Sequence, residues 1–496
     1  MSIAGRAGRV GRVGRLACLL CAAALPAAGG CQSGYRDFAR SVDASIAAGD
    51  YRGAASLATA RAEKKSGDRI NRVVYNLEAA RAAQLAGDYA ASRDFFERAH
   101  DDVRPYLDEK AEAKITEAGA TTLVNQTTAI YRATPVERIM APTLDALNAM
   151  AMGDLDAARV RLNLARDWQQ DAVRRYGKAG ASEIERDAAA RGVPVREEGV
   201  MAAVAPYYSN LQDLSGYADY GNPFASHLRG VFLLATASDA GDLERARFEL
   251  RQVVAMEPSA EPVVTPDLEA AASGGLSGPV VWVYFLTGRA PSLEEIRLDI
   301  PIPAGNVNYV AAAFPRLVIN PDGVFSARVS GGGDSVGTVE LADVDAMVAA
   351  DFRRRLPTIV MQEVLSSALK AGATYAASRE GRDGWAQLAG ILYQALTTAA
   401  DLRSWRSLPK RVLVARVATP PDGRMSAWFG GGGVGGGAGG SGADATWTVR
   451  PGTSHIVVVS LPSSASRAAS VLTAELGVGQ PSLGTLSEEA VDDADD

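Results

Sequence analysis

Cysteine and histidine are scarce in this sequence, so the few present are where its chemistry would have to begin. The three cysteines, Cys18, Cys21 and Cys31, all lie near the N-terminus. Cys18-x-x-Cys21 has the spacing of a redox dithiol, yet it falls inside the apolar run Leu16–Ala28, which reads as part of a leader. Cys31 follows the small residues Ala28-Gly29-Gly30. The histidines, His100, His227 and His455, stand far apart with no metal-ligand spacing. No Gly-x-Ser-x-Gly phrase stands between a strand-like run and a helical one, where a serine nucleophile would need it. A Ser/His/Asp site could still form in space, but nothing in the sequence points to one. Carboxylates are spread as on any helical surface, and no glycosidase pair can be picked from them. The glycine run at 430–443 contains GxGxxG matches, but it links two strand-like segments and lacks the Lys-Ser/Thr of a phosphate loop. It reads as a flexible hairpin loop. No catalytic residue, metal or cofactor is expected, and enzymatic activity is not the leading reading.

The elements that would position any chemistry begin with the N-terminus. Residues 1–15 carry Arg6, Arg9, Arg12 and Arg15 and no acid, and the apolar run that follows is too short for a stable transmembrane anchor. This positive, apolar, small order is that of a secretory signal, assigned to residues 1–30. A Cys directly after small residues resembles the bacterial lipobox, which implies that Cys31 becomes the lipidated first residue of the mature chain. Ala28 stands where leucine is usual, and a plain signal peptide cut nearby is the alternative. Gln32 rather than Asp follows the Cys, which by resemblance to the sorting rule favours the periplasmic face of the outer membrane. Acyl chains supply about 0.8 kcal/mol per buried CH₂, so such an anchor needs no membrane-spanning helix.

Charge narrows the partners. The chain has 51 basic and 58 acidic residues, a formal net charge of −7. Loss of the four leader arginines leaves 47 against 58, or −11. Nucleic acid is not expected as a partner, because phosphate contacts need clustered Lys and Arg.

From residue 31 to 270 the pattern is helical and repetitive. The phrases Ala48-Gly49-Asp50-Tyr51, Ala86-Gly87-Asp88-Tyr89, Met152-Gly153-Asp154-Leu155 and Ala240-Gly241-Asp242-Leu243 each separate two apolar helical runs. Gly suits the left-handed exit of the first helix and Asp caps the second. The helix after each phrase keeps small or apolar residues at fixed offsets, such as Ala158, Leu162 and Ala165, or Ala246, Leu250 and Val253 before Pro258. This resembles the tetratricopeptide repeat, although the phrases lie 38, 66 and 88 residues apart rather than at a fixed period. An irregular helical bundle is the alternative. A solenoid of this kind presents a concave face that takes peptides or proteins. Tyr207, Tyr208, Tyr217, Tyr220 and Phe224 are the candidates for a groove or interaction surface, with packing between helix pairs as the competing reading.

Composition shifts at Ala272–Pro279, and strand-like runs follow at Val280–Leu286, Arg297–Ile302, Tyr309–Ile319, Ser326–Val329, Thr338–Leu341, Val412–Val417, Ala445–Val449 and Ile456–Val459. Two helices are expected at about 343–376 and 384–400. The fold class is thus multidomain, with all-α tetratricopeptide-like repeats at 31–270, an α+β domain at 271–465 and a disordered acidic tail at 466–496.

Several phrases together resemble a family of bacterial envelope lipoproteins with tetratricopeptide-like repeats. They are Tyr131-Arg-x-x-Pro135-Val-Glu137-Arg-Ile139, Ala146–Val160, Asn222-Pro-Phe224, Gly288-Arg-Ala-Pro291, Ala313-Phe-Pro315, Asp343-Val-Asp345, Asp351–Pro357 and Asp401-Leu-Arg403-Ser404-Trp405-Arg-Ser-Leu408-Pro409. The resemblance brings no assigned reaction and no catalytic residues. The anchor and the repeats together point to a membrane-anchored scaffold or accessory factor in envelope assembly that binds other envelope proteins. The alternative is a small-molecule or glycan binder using the α+β domain. The Asp401–Pro409 phrase reads as a structural corner, with Arg403 pairing with Asp401 or capping a helix and Trp405 as its anchor.

Overall fold

The computed structural model describes residues 34–107, 129–176, 181–304, 307–380, 399–430 and 445–478, apart from Gly192, Pro194, Asp213, Ser215, Ala218, Asp219 and Arg467. The leader, Cys31, the helix expected at 384–400, the glycine run and the end of the acidic tail lie outside these residues, save for the edges at 399–400 and Gly430.

Helices fill the first half and a sheet-rich region follows. Helix α1 spans 34–47. Then come α2 (Tyr51–Lys64), α3 (Arg72–Leu85), α4 (Tyr89–Val103), α5 (Pro135–Ala151), α6 (Leu155–Tyr176), α7 (Ala181–Ala190), α8 (Glu197–Val204), α9 (Pro223–Ala235), α10 (Ala240–Met256) and α11 (Glu261–Ala272). Three of the Gly-Asp phrases do what their chemistry predicts. Gly49, Gly87 and Gly153 take φ of +77°, +83° and +76°, which a side chain would resist. Asp50, Asp88 and Asp154 then accept from the amides of Gly53, Ala91 and Ala157, capping α2, α4 and α6. The fourth phrase works differently. Helix α10 starts three residues early because Asp239 caps it, accepting from the Asp242 amide at 2.8 Å. Asp242 is instead buried and held by Arg159 and Arg245, both at 2.9 Å.

Arginines on α6 set the register between hairpins. Arg161 reaches Asp145 on α5 at 2.8 Å, while Arg159 and Arg166 reach forward to Asp242 and Glu249 on α10. The offsets named in the sequence are the packed stripes: Ala158, Leu162, Ala165, Ala246, Leu250 and Val253 are all buried.

The strands are β1 (Val280–Thr287), β2 (Ser292–Ala304), β3 (Val307–Val318), β4 (Ser326–Gly331), β5 (Asp334–Gly337), β6 (Val339–Asp343), β7 (Arg411–Ala418), β8 (Arg424–Gly430), β9 (Ala445–Thr448), β10 (Thr453–Leu461) and β11 (Ser470–Val478), with the long helix α12 (Val344–Glu380) after β6. A five-stranded sheet runs β11-β10-β1-β7-β6, a four-stranded sheet β5-β4-β8-β9, and β2 and β3 pair alone. In the five-stranded sheet β1 and β10 are parallel, and the other pairs are antiparallel.

The result is three layers. Trp282, Tyr284 and Leu286 of β1 join the helical core, whereas Val281, Val283 and Phe285 join the core shared with the four-stranded sheet. Burial on both faces explains why β1 and β10 read as unbroken apolar runs. A smaller core unites α7, α8, β2, β3 and the first part of α12, and it contains Val360, Met361 and Val364.

The structure departs from two expectations. The disordered tail does not begin at 466, because β11 pairs with β10 through Ser470 and its Leu472, Ala474 and Leu476 alternate into the helical core. The period of two was present in the sequence, between polar Thr473 and Glu475. The concave face of the helical layer is also not open. Nearly every residue of α3, α5 and α9 is buried, because outer helices cover one side and the sheet and its connections cover the other.

Candidate functional site

Buried charge is expensive unless it is paired, so the places where this protein buries it identify its most specific contacts. The largest such place forms around residues 399–410, an irregular strap laid across α1, α3 and α5. The phrase is polar and aromatic and has no helical or strand period, so its backbone must find partners outside regular structure. It finds them in carboxylates presented by the inner helices.

Glu137 in the first turn of α5 accepts from the Trp405 amide at 2.7 Å, from the Tyr131 hydroxyl at 2.6 Å and from the Thr134 amide at 2.7 Å. The last of these is half of a capping box whose other half is Thr134 accepting from the Glu137 amide. Glu78 of α3 accepts from the Arg406 amide at 2.7 Å. Tyr35 of α1 donates to the Ser404 carbonyl at 2.6 Å. Arg403 grips Asp401 with two nitrogens, at 2.8 and 2.6 Å, and donates to the Ile70 carbonyl at 3.0 Å. Arg406 pairs with Asp43 of α1. Trp405 is 1% exposed and meets Phe96 edge-on at 5.8 Å between ring centres. Next along the chain, buried Lys410 pairs with Asp345 at the start of α12 and packs on Gly288. Gly288 has φ +65°, and any side chain there would collide with Lys410.

Four separated phrases of the sequence, at 131–139, 288–291, 343–345 and 401–409, are therefore joined through contacts to this strap, among them the Ala290 amide donating to the Leu408 carbonyl at 2.8 Å. Arg403 does pair with Asp401, as expected. It also reaches the Ile70 carbonyl and Asn71 just ahead of α3 and stacks 5.5 Å from the Tyr131 ring centre, and the strap ends no described helix. The inner helices recognise an extended peptide here, and that peptide belongs to the same chain.

Burial distorts the acidity of these groups. Glu78 is pushed up to about 7, first by burial and then by the nearby Asp43 charge, against hydrogen bonds from Ser407 and Arg406. Asp345 rises to about 6 by burial despite Lys410, and Asp145 to about 6 by burial despite Arg161 and Arg93. A carboxyl whose folded value lies above its ordinary one stabilises the fold fully below the ordinary value and loses that contribution as pH rises through the folded one. Glu78 should thus withdraw stability between pH ~4.5 and ~7, by roughly 3 kcal/mol. Glu78→Gln keeps an acceptor for the Arg406 amide but cannot ionise. Urea unfolding of both chains across that range should show the variant gaining on the parent as pH rises. A constant difference would mean that Glu78 titrates normally.

The histidines are each engaged separately. His100 meets Trp168 edge-on at 6.1 Å, His227 Nδ1 bonds the Tyr284 hydroxyl at 2.7 Å, and the Arg450 amide reaches His455 Nε2 at 3.3 Å. Burial lowers His227 to about 3, so it stays neutral at ordinary pH. The sequence does contain one Gly-x-Ser-x-Gly spacing, Gly333-Asp-Ser335-Val-Gly337, but Ser335 lies in edge strand β5, which leads into β6 rather than a helix. That is not the strand-to-helix turn a nucleophile needs. Among the described residues no group of His, Cys, Asp and Glu is placed to hold a metal.

The five aromatic candidates do not share one groove. Tyr207 is 48% exposed, whereas Tyr208 is buried in the smaller core and donates to the Pro315 carbonyl at 2.9 Å. Tyr217 donates to Glu257 at 2.9 Å and accepts from the Asp343 amide at 3.0 Å. Tyr220 takes a left-handed φ of +54° with Arg354 stacked 4.4 Å from its ring centre. Phe224 is fully buried against Tyr284. Tyr217 and Tyr220 line a cleft of only about 10 Å³ with Asn222, Asp351 and Arg354. A second cleft, about 30 Å³, lies between α3, α4, α5 and α6 beside His100, Arg138, Arg161 and Trp168. Each has room for about one water molecule. No family model matches the chain, and neither a curated protein nor a solved structure does.

Proposed function

We propose that this chain is a membrane-anchored lipoprotein of the cell envelope, held by lipid on Cys31 at the periplasmic face of the outer membrane, and that its body serves as a protein-binding scaffold or accessory factor in envelope assembly. The observation that carries this reading is the leader: four arginines without an acid, an apolar run, and Ala28-Gly29-Gly30 ahead of Cys31. A body without a single further cysteine is consistent with one thiol reserved for modification. No helix among the described residues is long and apolar enough to cross a membrane, so attachment would fall to the lipid.

The hairpins are read as degenerate tetratricopeptide-like repeats, supported by the three left-handed glycines with their aspartate caps. With the inner helices covered, other envelope proteins would be met on the outer helices, where Leu57, Val160, Val173 and Phe248 stand exposed. A second reading, glycan binding by the α+β region, is favoured by Trp428. Its side chain is 53% exposed on the outer sheet, in register with Arg328, and offers a flat face to a sugar ring.

Fractionation tests the anchor. The parent should sediment wholly with membranes and resist a salt wash, whereas Cys31→Ser should be recovered in the soluble envelope fraction. Equal retention of both chains would remove the anchor from the account. Crosslinking in intact cells should then recover reproducible envelope proteins through probes at Val160 or Phe248, and none through probes at Trp428.

A further inference from the structure

The sequence leaves little slack between Cys31 and the folded body. Only Gln32 and Ser33 intervene before α1 starts at residue 34, and three residue steps reach at most about 11 Å. A lipid on Cys31 would therefore hold the start of α1 close to the headgroups, and whatever surrounds that start would face them.

The turn that reaches it is rich in basic residues. Helix α2 runs back along α1, and Arg61 in its last turn donates to the Gly34 carbonyl at 3.3 Å. The turn to α3 follows. Between Arg61 and Arg72 stand five basic residues, Arg61, Lys64, Lys65, Arg69 and Arg72, against Glu63 and Asp68, in a chain whose acids outnumber its bases. Both acids are engaged: Glu63 pairs with Arg98 at 2.7 Å, and Asp68 accepts from the amides of Ile70 and Asn71. Arg72 is matched by Asp102. Lys64, Lys65 and Arg69 pair with no acid among the described residues, and each is exposed or half-exposed. The far end of the same hairpins mixes the capping aspartates Asp50, Asp88 and Asp154 with Arg52 and Arg93.

We propose that the α2–α3 turn, through Lys64, Lys65 and Arg69, is a membrane-facing surface that takes the anionic headgroups of phospholipids and sets how the body stands on the bilayer. The proposal rests on the anchor reading above. The acyl chains would supply the attachment, and the cationic turn the orientation, since basic residues beside an anionic leaflet gain affinity that fades beyond a Debye length of about 8 Å at physiological salt. Twelve helical positions separate Arg52 from Lys64, about 18 Å along α2, so charge at that end lies out of range.

The test uses the chain from residue 31 with Cys31→Ser, which carries neither leader arginines nor lipid, floated with vesicles of phosphatidylcholine with or without phosphatidylglycerol. It should float with the anionic vesicles at low salt, release at high salt, and ignore the neutral ones. Lys64→Glu/Lys65→Glu/Arg69→Glu should weaken that binding about a hundredfold, and Arg52→Glu should leave it unchanged. The milder Lys64→Gln/Lys65→Gln pair, with an unaltered circular dichroism spectrum, should show an intermediate loss and guards against misfolding. Equal binding to both vesicle types, or equal weakening by Arg52→Glu, would overturn the proposal. These arms involve no lipid on Cys31, so a failed anchor, read by fractionation, is a separate result.

Discussion

Glu137→Ala is expected to cost about 4–7 kcal/mol, enough to unfold much of the chain at modest denaturant concentration. The side chain is 4% exposed and satisfies three donors at once, the Tyr131 hydroxyl and the amides of Thr134 and Trp405. Alanine leaves all three buried without an acceptor, at about 1–3 kcal/mol each, and removes part of the α5 cap as well. A domain is stable by only about 5–15 kcal/mol. Glu137→Gln keeps one oxygen and should lose far less. Urea unfolding followed by tryptophan fluorescence reads the effect, because Trp405 sits on the lost bond. A loss below about 1 kcal/mol for the alanine variant would mean that the strap is not held through this carboxylate.

The second large effect concerns the helical region as a separate piece. Residues 31–270 expressed alone should fail to unfold cooperatively, with helical far-ultraviolet dichroism but little near-ultraviolet signal. Helices α3, α5 and α9 are buried nearly all round, polar side chains such as Glu78, Arg81, Glu137 and Asp145 included, so they lie between two layers. Removing the sheet would strip Tyr284 from Phe224 and His227, and Ser460 from buried Arg81. It would also leave Asp267, fully buried, without the Arg416 guanidinium and the Trp282 indole that hold it at 2.7 Å. A buried charge deprived of its partner alone costs about 3–5 kcal/mol. Co-expression with residues 271–496 should restore the near-ultraviolet signal. A sharp, two-state transition from the isolated fragment would show that the helical layer stands by itself.

These expectations mark what the sequence discloses and what it withholds. The helical hairpins were readable because Gly-Asp is local chemistry: Gly153 must go left-handed and Asp154 must cap, whatever lies around them. The fourth phrase misled because Asp239, three residues earlier, offers an equally good cap and the local code does not rank the two. Strands β1, β7 and β10 announced themselves through β-branched and aromatic runs, whereas β8, with Ser426 and Ala427, and β11, with Ser470 and Ala474, carry weaker propensity and are recruited by pairing. The change in composition at 272–279 marks where helices give way to strands, but the core runs straight across it. Periodicity does not reveal what covers an apolar face. The sequence therefore shows α3 and α5 as helices yet hides that the sheet and residues 399–410 close over them. The strap was visible only as a corner with an Arg-Asp pair, because its partners Glu78 and Glu137 lie more than 260 positions away.

The proposed function turns on Cys31, and intact-mass and peptide mass spectrometry of the protein purified from bacterial envelopes reads it directly. The predicted N-terminal peptide begins at Cys31 and carries two or three acyl chains on the thioether-linked glyceride and the amine. A mature chain that begins elsewhere, or one that begins at Cys31 with a free thiol, would contradict the anchor.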